Sequence, residues 1–190
     1  MRKISIALAV VFSVFFAGCP ARSIHPLFTE HEISFNPTLV GKWADGDDLY
    51  TFKRSTGNSY EIFLSEQKPV DSTGHNPSSS DTITFIGQLG HIGRNWFLDS
   101  YPARELGDFH LLPTHIISRI QFDGDTILIA SLEGDWVTKM IKGDRIKAEH
   151  TIVDGDIILT GSTSEIQKII RDFGSDDNAF PNPAKFVRMK

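Results

Sequence analysis

Cysteine is nearly absent from the sequence: Cys19 is the only one among 190 residues. A single thiol excludes a disulfide framework and a zinc site made of cysteine thiolates. No apolar run reaches the roughly 20 residues that a membrane-spanning helix needs. Basic residues are also scarce, because 19 Lys and Arg stand against 24 Asp and Glu, and the net charge of −5 argues against a nucleic-acid partner. The composition is otherwise that of one globular domain.

The N terminus is typical of a secretory signal peptide. Two basic residues precede an almost entirely apolar stretch, residues 4–16, and small residues follow at Ala17 and Gly18. This stretch is too short to span a bilayer stably, and nothing apolar continues it past Cys19. We therefore predict that residues 1–18 are removed as a signal peptide. An anchor that is never cleaved is the disfavoured alternative.

The tetrapeptide Phe16-Ala17-Gly18-Cys19 resembles the lipobox of bacterial lipoproteins, with Phe16 in place of the usual leucine. The resemblance implies that the Cys19 thiol receives a diacylglycerol and that Cys19 becomes the mature N terminus. Two or more acyl chains hold a protein stably on a membrane, since each buried methylene contributes about 0.8 kcal/mol. The implied location is the cell envelope. Pro20 after the cysteine favours the outer membrane, facing the periplasm, because aspartate there is associated with inner-membrane retention in enteric bacteria.

The rest of the chain divides into a short N-terminal stretch and one domain. Residues 19–36 contain prolines that interrupt any helix, which predicts a tether, and their apolar side chains predict that part of it packs on the domain. Over residues 37–190, short β-branched and aromatic segments alternate with turn signals, which predicts antiparallel hairpins. The expected paired strands are 49–54 with 60–65, 82–88 with 95–100, 114–122 with 126–131, and 147–153 with 157–160.

Turn and helix signals complete the predicted fold. Three Asp-Gly-Asp tripeptides indicate hairpin turns rather than calcium sites. A capping box at residues 162–165 predicts a helix that ends at Gly174, and a shorter helix is predicted over 135–142 with Asp135 as its N-cap. We therefore predict an α+β fold that is mainly β, with an antiparallel meander able to curl into a partly closed barrel. One or two helices are expected to pack on it.

Residue types that carry catalysis or bind metals form no recognisable arrangement. The histidines are His25, His31, His75, His91, His110, His115 and His150. They lack the spacing of a helical metal motif. Ser162 lies outside any nucleophile elbow, no glycine-rich phosphate-binding motif is present, and lipidation would consume the only cysteine. We therefore predict no catalytic residue, no metal and no cofactor.

The tripeptide Gly41-Lys42-Trp43, at the start of the strands, resembles the Gly-x-Trp signature of lipocalins and related calycin barrels. In those proteins the tryptophan closes the base of the barrel beneath a C-terminal arginine. The resemblance implies this structural pairing for Trp43 and Arg188. Here Arg188 follows the late predicted helix instead of preceding it.

Nearly the whole mature chain resembles a group of bacterial lipoproteins to which no activity is assigned. The resemblance lies in residues 24–29, 39–43, 96–99, 110–115 and 159–163. It implies a location and no mechanism.

Three classes of function remain open. A lipid-anchored accessory or binding module would work through its surface, a calycin-like carrier would hold a small apolar ligand, and an envelope enzyme would need a catalytic site. Fourteen phenylalanines are enough to plug a small barrel, which favours the accessory module over the carrier. The enzyme is least favoured. The expected partners are the membrane, reached through acyl chains, and either an envelope protein or a small apolar ligand.

Overall fold

The computed structural model describes residues 19–66, 83–103 and 112–190. The predicted signal peptide and a predicted polar loop at 67–80 lie outside these ranges. The described strands are β1 (Arg22–Ser23), β2 (Gly41–Asp45), β3 (Asp48–Arg54), β4 (Tyr60–Glu66), β5 (Ile83–Ile92), β6 (Asn95–Pro102), β7 (His115–Asp123), β8 (Thr126–Ser131), β9 (His150–Val153), β10 (Asp156–Leu159) and β11 (Ala184–Arg188). The α-helices are α1 (Gly134–Lys142) and α2 (Thr163–Phe173).

Eight strands form a closed antiparallel barrel. Strands β2 to β8 follow one another as a meander, and β11 lies between β8 and β2. The closure is fixed by register, since Arg188 pairs with Trp43 on β2 and Phe186 pairs with Ile127 on β8. The prediction of an α+β, mainly β fold whose meander can curl into a barrel, with one or two packed helices, is confirmed. The barrel is closed, and there are two α-helices among the described residues. The predicted hairpins are present, and Gly124 adopts the positive φ of 58° that the turn between β7 and β8 requires.

One predicted turn residue proved to belong to a strand. The predicted strands 82–88 and 95–100 place Gly90 in the turn between them, but Gly90 lies within β5, and the turn is made at Gly93 with a φ of 63°. A Cβ atom at Gly90 would lie 2.6 Å from the ring of Phe28. Glycine is therefore needed here because an aromatic ring from the N-terminal stretch packs directly on the backbone.

The remaining strands extend the sheet beside the barrel. Strand β1 pairs in parallel with β10 and antiparallel with the start of β7, and β9 pairs with β10. Both helices pack with this extension in an outer core that covers the barrel wall. The largest of its fully buried members are Leu27, Phe97, Ile117, Leu132, Leu159 and Phe180.

The two helices begin with side-chain caps. For α2 the predicted capping box is confirmed: the Ser162 N–H donates to a Glu165 carboxylate oxygen at 2.9 Å, and the Ser162 hydroxyl accepts from the Glu165 N–H. The N-cap predicted for α1 was wrong by two residues, because Glu133 accepts from the Asp135 N–H in that role. The helix starts early because the Gly134 N–H donates to the Cys19 carbonyl oxygen at 3.1 Å.

Residues 19–36 run along the outside of the barrel from one end to the other. The Ala21 N–H donates to the Leu132 carbonyl oxygen at 2.8 Å, and the Ser34 N–H donates to the Leu89 carbonyl oxygen at 2.7 Å. Between these two points Leu27 and Phe28 are buried in the outer core. This stretch is therefore packed on the domain at both of its ends and in its middle.

Candidate ligand-binding site in the barrel

The two ends of the barrel are built differently. We call the end where β2 begins and β11 finishes the closed end. The opposite end, where the described residues leave a cavity, is the open end. At the closed end, the short 3-10 helix Pro37–Leu39 places Leu39 beneath the barrel. The Trp43 indole N–H donates to the Leu39 carbonyl oxygen at 2.9 Å, and both residues are fully buried. Buried Phe52 and Tyr60 complete this plug.

The structure brings Trp43 and Arg188 together at the closed end. The guanidinium carbon lies 4.1 Å from the centre of the Trp43 ring, a cation–π distance. One guanidinium nitrogen donates to the Val40 carbonyl oxygen at 3.1 Å, and another donates to the Thr38 carbonyl oxygen. Arg188 thus ties the last strand to the chain that enters the first barrel strand.

A steric requirement explains why the first residue of the Gly-x-Trp tripeptide is glycine. Gly41 has a φ of 139°, outside the range that side chains favour. A Cβ atom at this position would lie 2.7 Å from the nearest Arg188 guanidinium nitrogen. Glycine at this position therefore makes room for the arginine that covers the tryptophan.

A cavity of about 270 Å³ lies inside the barrel at the open end. Its volume is close to the lower limit of about 300 Å³ for small-molecule sites. The cavity is lined by Tyr50, Phe52, Ile62, Leu64, Phe85, Leu98, Ser100, Ile116, Ser118, Ile129, Ser131, Ala184 and Phe186. Most of these side chains are apolar, so the site suits an apolar or amphipathic molecule.

Polar groups are concentrated on one wall of this cavity. Ser100, Ser118 and Ser131 lie on the neighbouring strands β6, β7 and β8, and the Ser118 and Ser131 hydroxyl oxygens are 3.0 Å apart. Across the cavity, Tyr50 meets Phe186 edge to face, with ring centres 4.9 Å apart. Burial raises the pKa of the Tyr50 phenol, and the nearby carboxylates add to this effect, so the phenol is neutral at physiological pH.

A second cavity of about 200 Å³ adjoins the first. It shares Ile129, Ser131 and Ala184 with the barrel cavity and extends outward to Pro20. Strand β11 pairs with β8 only as far as Ile129, so the pairing between these two strands ends where the shared residues lie. The barrel cavity is therefore bordered on this side by a groove that reaches the N terminus of the described chain.

Cys19 directly precedes Pro20, which lines this groove. It is exposed and carries a free thiol. The Asp156 carboxylate, as a hydrogen-bond partner and as a negative charge, raises the pKa of this thiol above its ordinary value. Cys19 is thus accessible at the surface, beside the turn that joins β9 to β10.

Sequence reasoning missed a buried polar cluster outside the barrel. Asp99 on β6 is fully buried, and one of its carboxylate oxygens accepts from the Leu27 N–H at 2.8 Å. Its other oxygen lies 2.8 Å from Nδ1 of His115, whose ring packs against Tyr101. The cluster joins the N-terminal stretch to the barrel wall. One feature of the sequence could have indicated this cluster. Asp99 directly follows Trp96-Phe97-Leu98 within a strand, and alternation places it on the same face as Phe97.

The other histidines are spread over the molecule. His25, His31, His91 and His150 are exposed, while His75 and His110 lie outside the described residues. In the part of the chain that the structure describes, no three residues of the types that bind metals form a group.

Within residues 19–66, 83–103 and 112–190, none of the helices has the length and apolar content needed to cross a membrane. The cavity at the open end, concave and mostly apolar with a few polar groups, has the geometry of a ligand site. Comparison with known proteins found no matching family model, no matching curated protein and no matching solved structure.

Proposed function

We propose that this protein is a lipid-anchored binding protein of the bacterial cell envelope that holds a small apolar or amphipathic ligand in the open end of its barrel. The observation that carries the proposal is the cavity of about 270 Å³, which has an apolar floor and three serines on one wall. Ligand sites are typically concave and mostly apolar, with a few polar groups that orient the bound molecule.

The location of the phenylalanines supports a carrier over a plugged barrel. Plugging was expected because the chain contains fourteen of them. However, Phe28, Phe97 and Phe180 are buried in the outer core, and three others lie in the predicted signal peptide. The barrel interior therefore receives fewer aromatic rings than the composition suggests. An accessory module that works only through its surface is the second candidate, and it predicts no saturable binding.

The anchor is proposed from the lipobox resemblance and from the position of Cys19. An exposed thiol at the surface is accessible to modification, and a diacylglycerol on it would lie outside the packed domain. The net charge of −5 becomes more negative when the basic residues of the signal peptide are removed. Repulsion from anionic lipids would then oppose membrane binding, so acyl chains hold the protein there. We place it on the outer membrane, facing the periplasm.

Ligand binding is tested with residues 19–190 made without the signal, since every contact described above lies within them. A fluorescent fatty-acid analogue is expected to bind saturably. Ser100→Phe, which fills the cavity from its wall, should weaken binding at least about tenfold, equivalent to 1.4 kcal/mol. Ser175→Phe on the exposed loop after α2 is the matched control and should bind as the parent does. Absence of saturable binding, or equal binding by the parent and by folded Ser100→Phe, would refute the carrier.

Lipidation is tested in growing cells with the full chain. A metabolically incorporated fatty-acid analogue should label the parent and leave Cys19→Ser unlabelled, because only a thiol forms the thioether. The parent should fractionate with membranes and appear at the mass of the processed chain. Equal labelling of the two chains would show that the anchor is elsewhere.

A further inference from the structure

Cys19 is attached to the open end of the barrel without any free chain between them. Strand β8 ends at Ser131, which lines the cavity, and Glu133 two residues later forms a bridge with Pro20. The Gly134 N–H then donates to the Cys19 carbonyl oxygen at 3.1 Å. Arg22 adds an ion pair with Asp156 at 2.7 Å. A lipid on Cys19 would therefore fix the orientation of the barrel as well as its location.

Exposed apolar side chains lie at the same end and on the β9–β10 hairpin that contacts Cys19. Ile83, the first residue of β5, is 55 % exposed and pairs with Leu64 at the cavity, and Leu112, three residues before β7, is 66 % exposed. Ile152 and Val153, at 54 % and 45 %, lie on β9, where Val153 pairs with Asp156, the residue whose side chain contacts Cys19. A water-facing surface leaves such side chains unburied, whereas contact with lipid would bury them.

The closed end offers a comparison. Its exposed apolar residues, Val187 and Met189, lie at the end of β11 beside the Arg188 cap. The N-terminal stretch leaves Cys19 at the open end and reaches the closed end only at Leu39. Val187 and Met189 are therefore separated from Cys19 by the length of the barrel.

We propose that the open end of the barrel faces the bilayer and that the ligand is an acyl chain of a membrane lipid, taken directly from that bilayer. This inference rests on the proposed anchor and carrier function. The groove beside the barrel cavity is lined in part by Pro20. It forms a mostly apolar border between the membrane-side N terminus and the binding site. Exposed Asp154 at the tip of the β9–β10 hairpin would repel anionic headgroups, so the contact suits zwitterionic lipid.

The orientation is measured on the full lipidated protein reconstituted in zwitterionic vesicles. Because lipidation consumes the only native thiol, Leu112→Cys, Val153→Cys and Val187→Cys each provide one free thiol for an environment-sensitive fluorophore. Lipids that carry a quencher are expected to quench the labels at 112 and 153 several-fold more than the label at 187. Equal quenching, or stronger quenching at 187, would overturn the orientation. Failure of the protein to associate with the vesicles would refute the anchor itself.

The source of the ligand is measured by transfer. Leu112→Glu should slow the uptake of a pyrene-labelled fatty acid from vesicles, while Val187→Glu should leave it unchanged. Binding of the same probe from solution, measured on residues 19–190, should be equal for both variants. If Leu112→Glu weakens binding from solution as much as uptake from vesicles, the ligand does not enter from the bilayer. If none of the chains binds the probe from solution, the carrier function is refuted.

Discussion

The closed end and the open end of the barrel differ in how completely their side chains are packed and bonded. At the closed end, Trp43, Leu39 and Tyr60 are fully buried. The Tyr60 hydroxyl accepts from the Asn36 N–H at 2.7 Å and donates to the Asn36 carbonyl oxygen at 3.0 Å. At the open end, buried and half-buried apolar side chains and three serines surround a cavity. The closed end therefore stabilises the fold, and the open end leaves a cavity that a ligand can occupy.

The largest expected loss of stability comes from removing the plug. Trp43→Ala should lower the free energy of unfolding by about 3–5 kcal/mol, because a fully buried indole is replaced by a cavity and the Leu39 carbonyl oxygen loses its donor. Chemical denaturation measures this loss, and Trp43→Phe, which retains most of the volume, should lose less. A loss below about 1 kcal/mol would contradict the assignment of stability to the closed end.

Removing the buried acid on the outer wall should have the next largest effect. Asp99→Ala leaves the Leu27 N–H without its acceptor and His115 without its partner, at a cost of about 1–3 kcal/mol. Amide hydrogen exchange at Leu27 should accelerate. Asp99→Asn, which keeps an acceptor oxygen, should lose less. Unchanged exchange in Asp99→Ala would show that the N-terminal stretch is held without this hydrogen bond.

Arg188 should contribute less to the free energy of unfolding than Trp43, whose ring it covers. Arg188→Met keeps an apolar stem over Trp43 but removes the hydrogen bonds to the Val40 and Thr38 carbonyl oxygens. We expect a loss of about 1–2 kcal/mol, measured by thermal unfolding. Arg188→Lys, which keeps the charge without the planar fork, should recover part of it. Full recovery by lysine would mean that charge alone matters at this position.

The open end should tolerate substitution. Ser131→Ala removes one hydroxyl of the Ser118 pair, and the free energy of unfolding should change by less than about 1 kcal/mol. The affinity for the fluorescent fatty-acid analogue should change in this variant, because the polar wall of the cavity is altered. A large loss of stability with unchanged affinity would reverse the roles assigned to the two ends.

The smallest expected effect concerns an exposed carboxylate on the N-terminal stretch. Hydrogen bonds from the Thr29 N–H and hydroxyl lower the pKa of Glu32, which also accepts from the Gln167 side chain on α2. A lowered pKa in the folded state stabilises the protein above the unfolded pKa, and this contribution is lost as pH falls through the folded value. The stability difference between the parent and Glu32→Gln should therefore shrink on acidification, as urea denaturation at several pH values can measure.

The candidate site could be predicted from the sequence only in part. The Gly-x-Trp resemblance pointed to Trp43 and Arg188, and the structure brings their side chains together. The cavity and the groove beside Pro20 were not predicted, because both depend on how several strands and the outer core share the aromatic residues. Lipidation of Cys19 stays a prediction, because the signal peptide lies outside the described residues.

The sequence by itself determined the hairpins, the capped helix α2 and the mainly β class, because these depend on residues within a few positions of each other. Only the tertiary structure decided where β11 enters the barrel, why Gly90 is a strand residue and which backbone group Asp99 binds. The partner of Asp99, Leu27, is 72 residues away in the sequence. Strand order, cavities and buried polar contacts arise from packing between distant segments, and no local pattern of residue types records that packing.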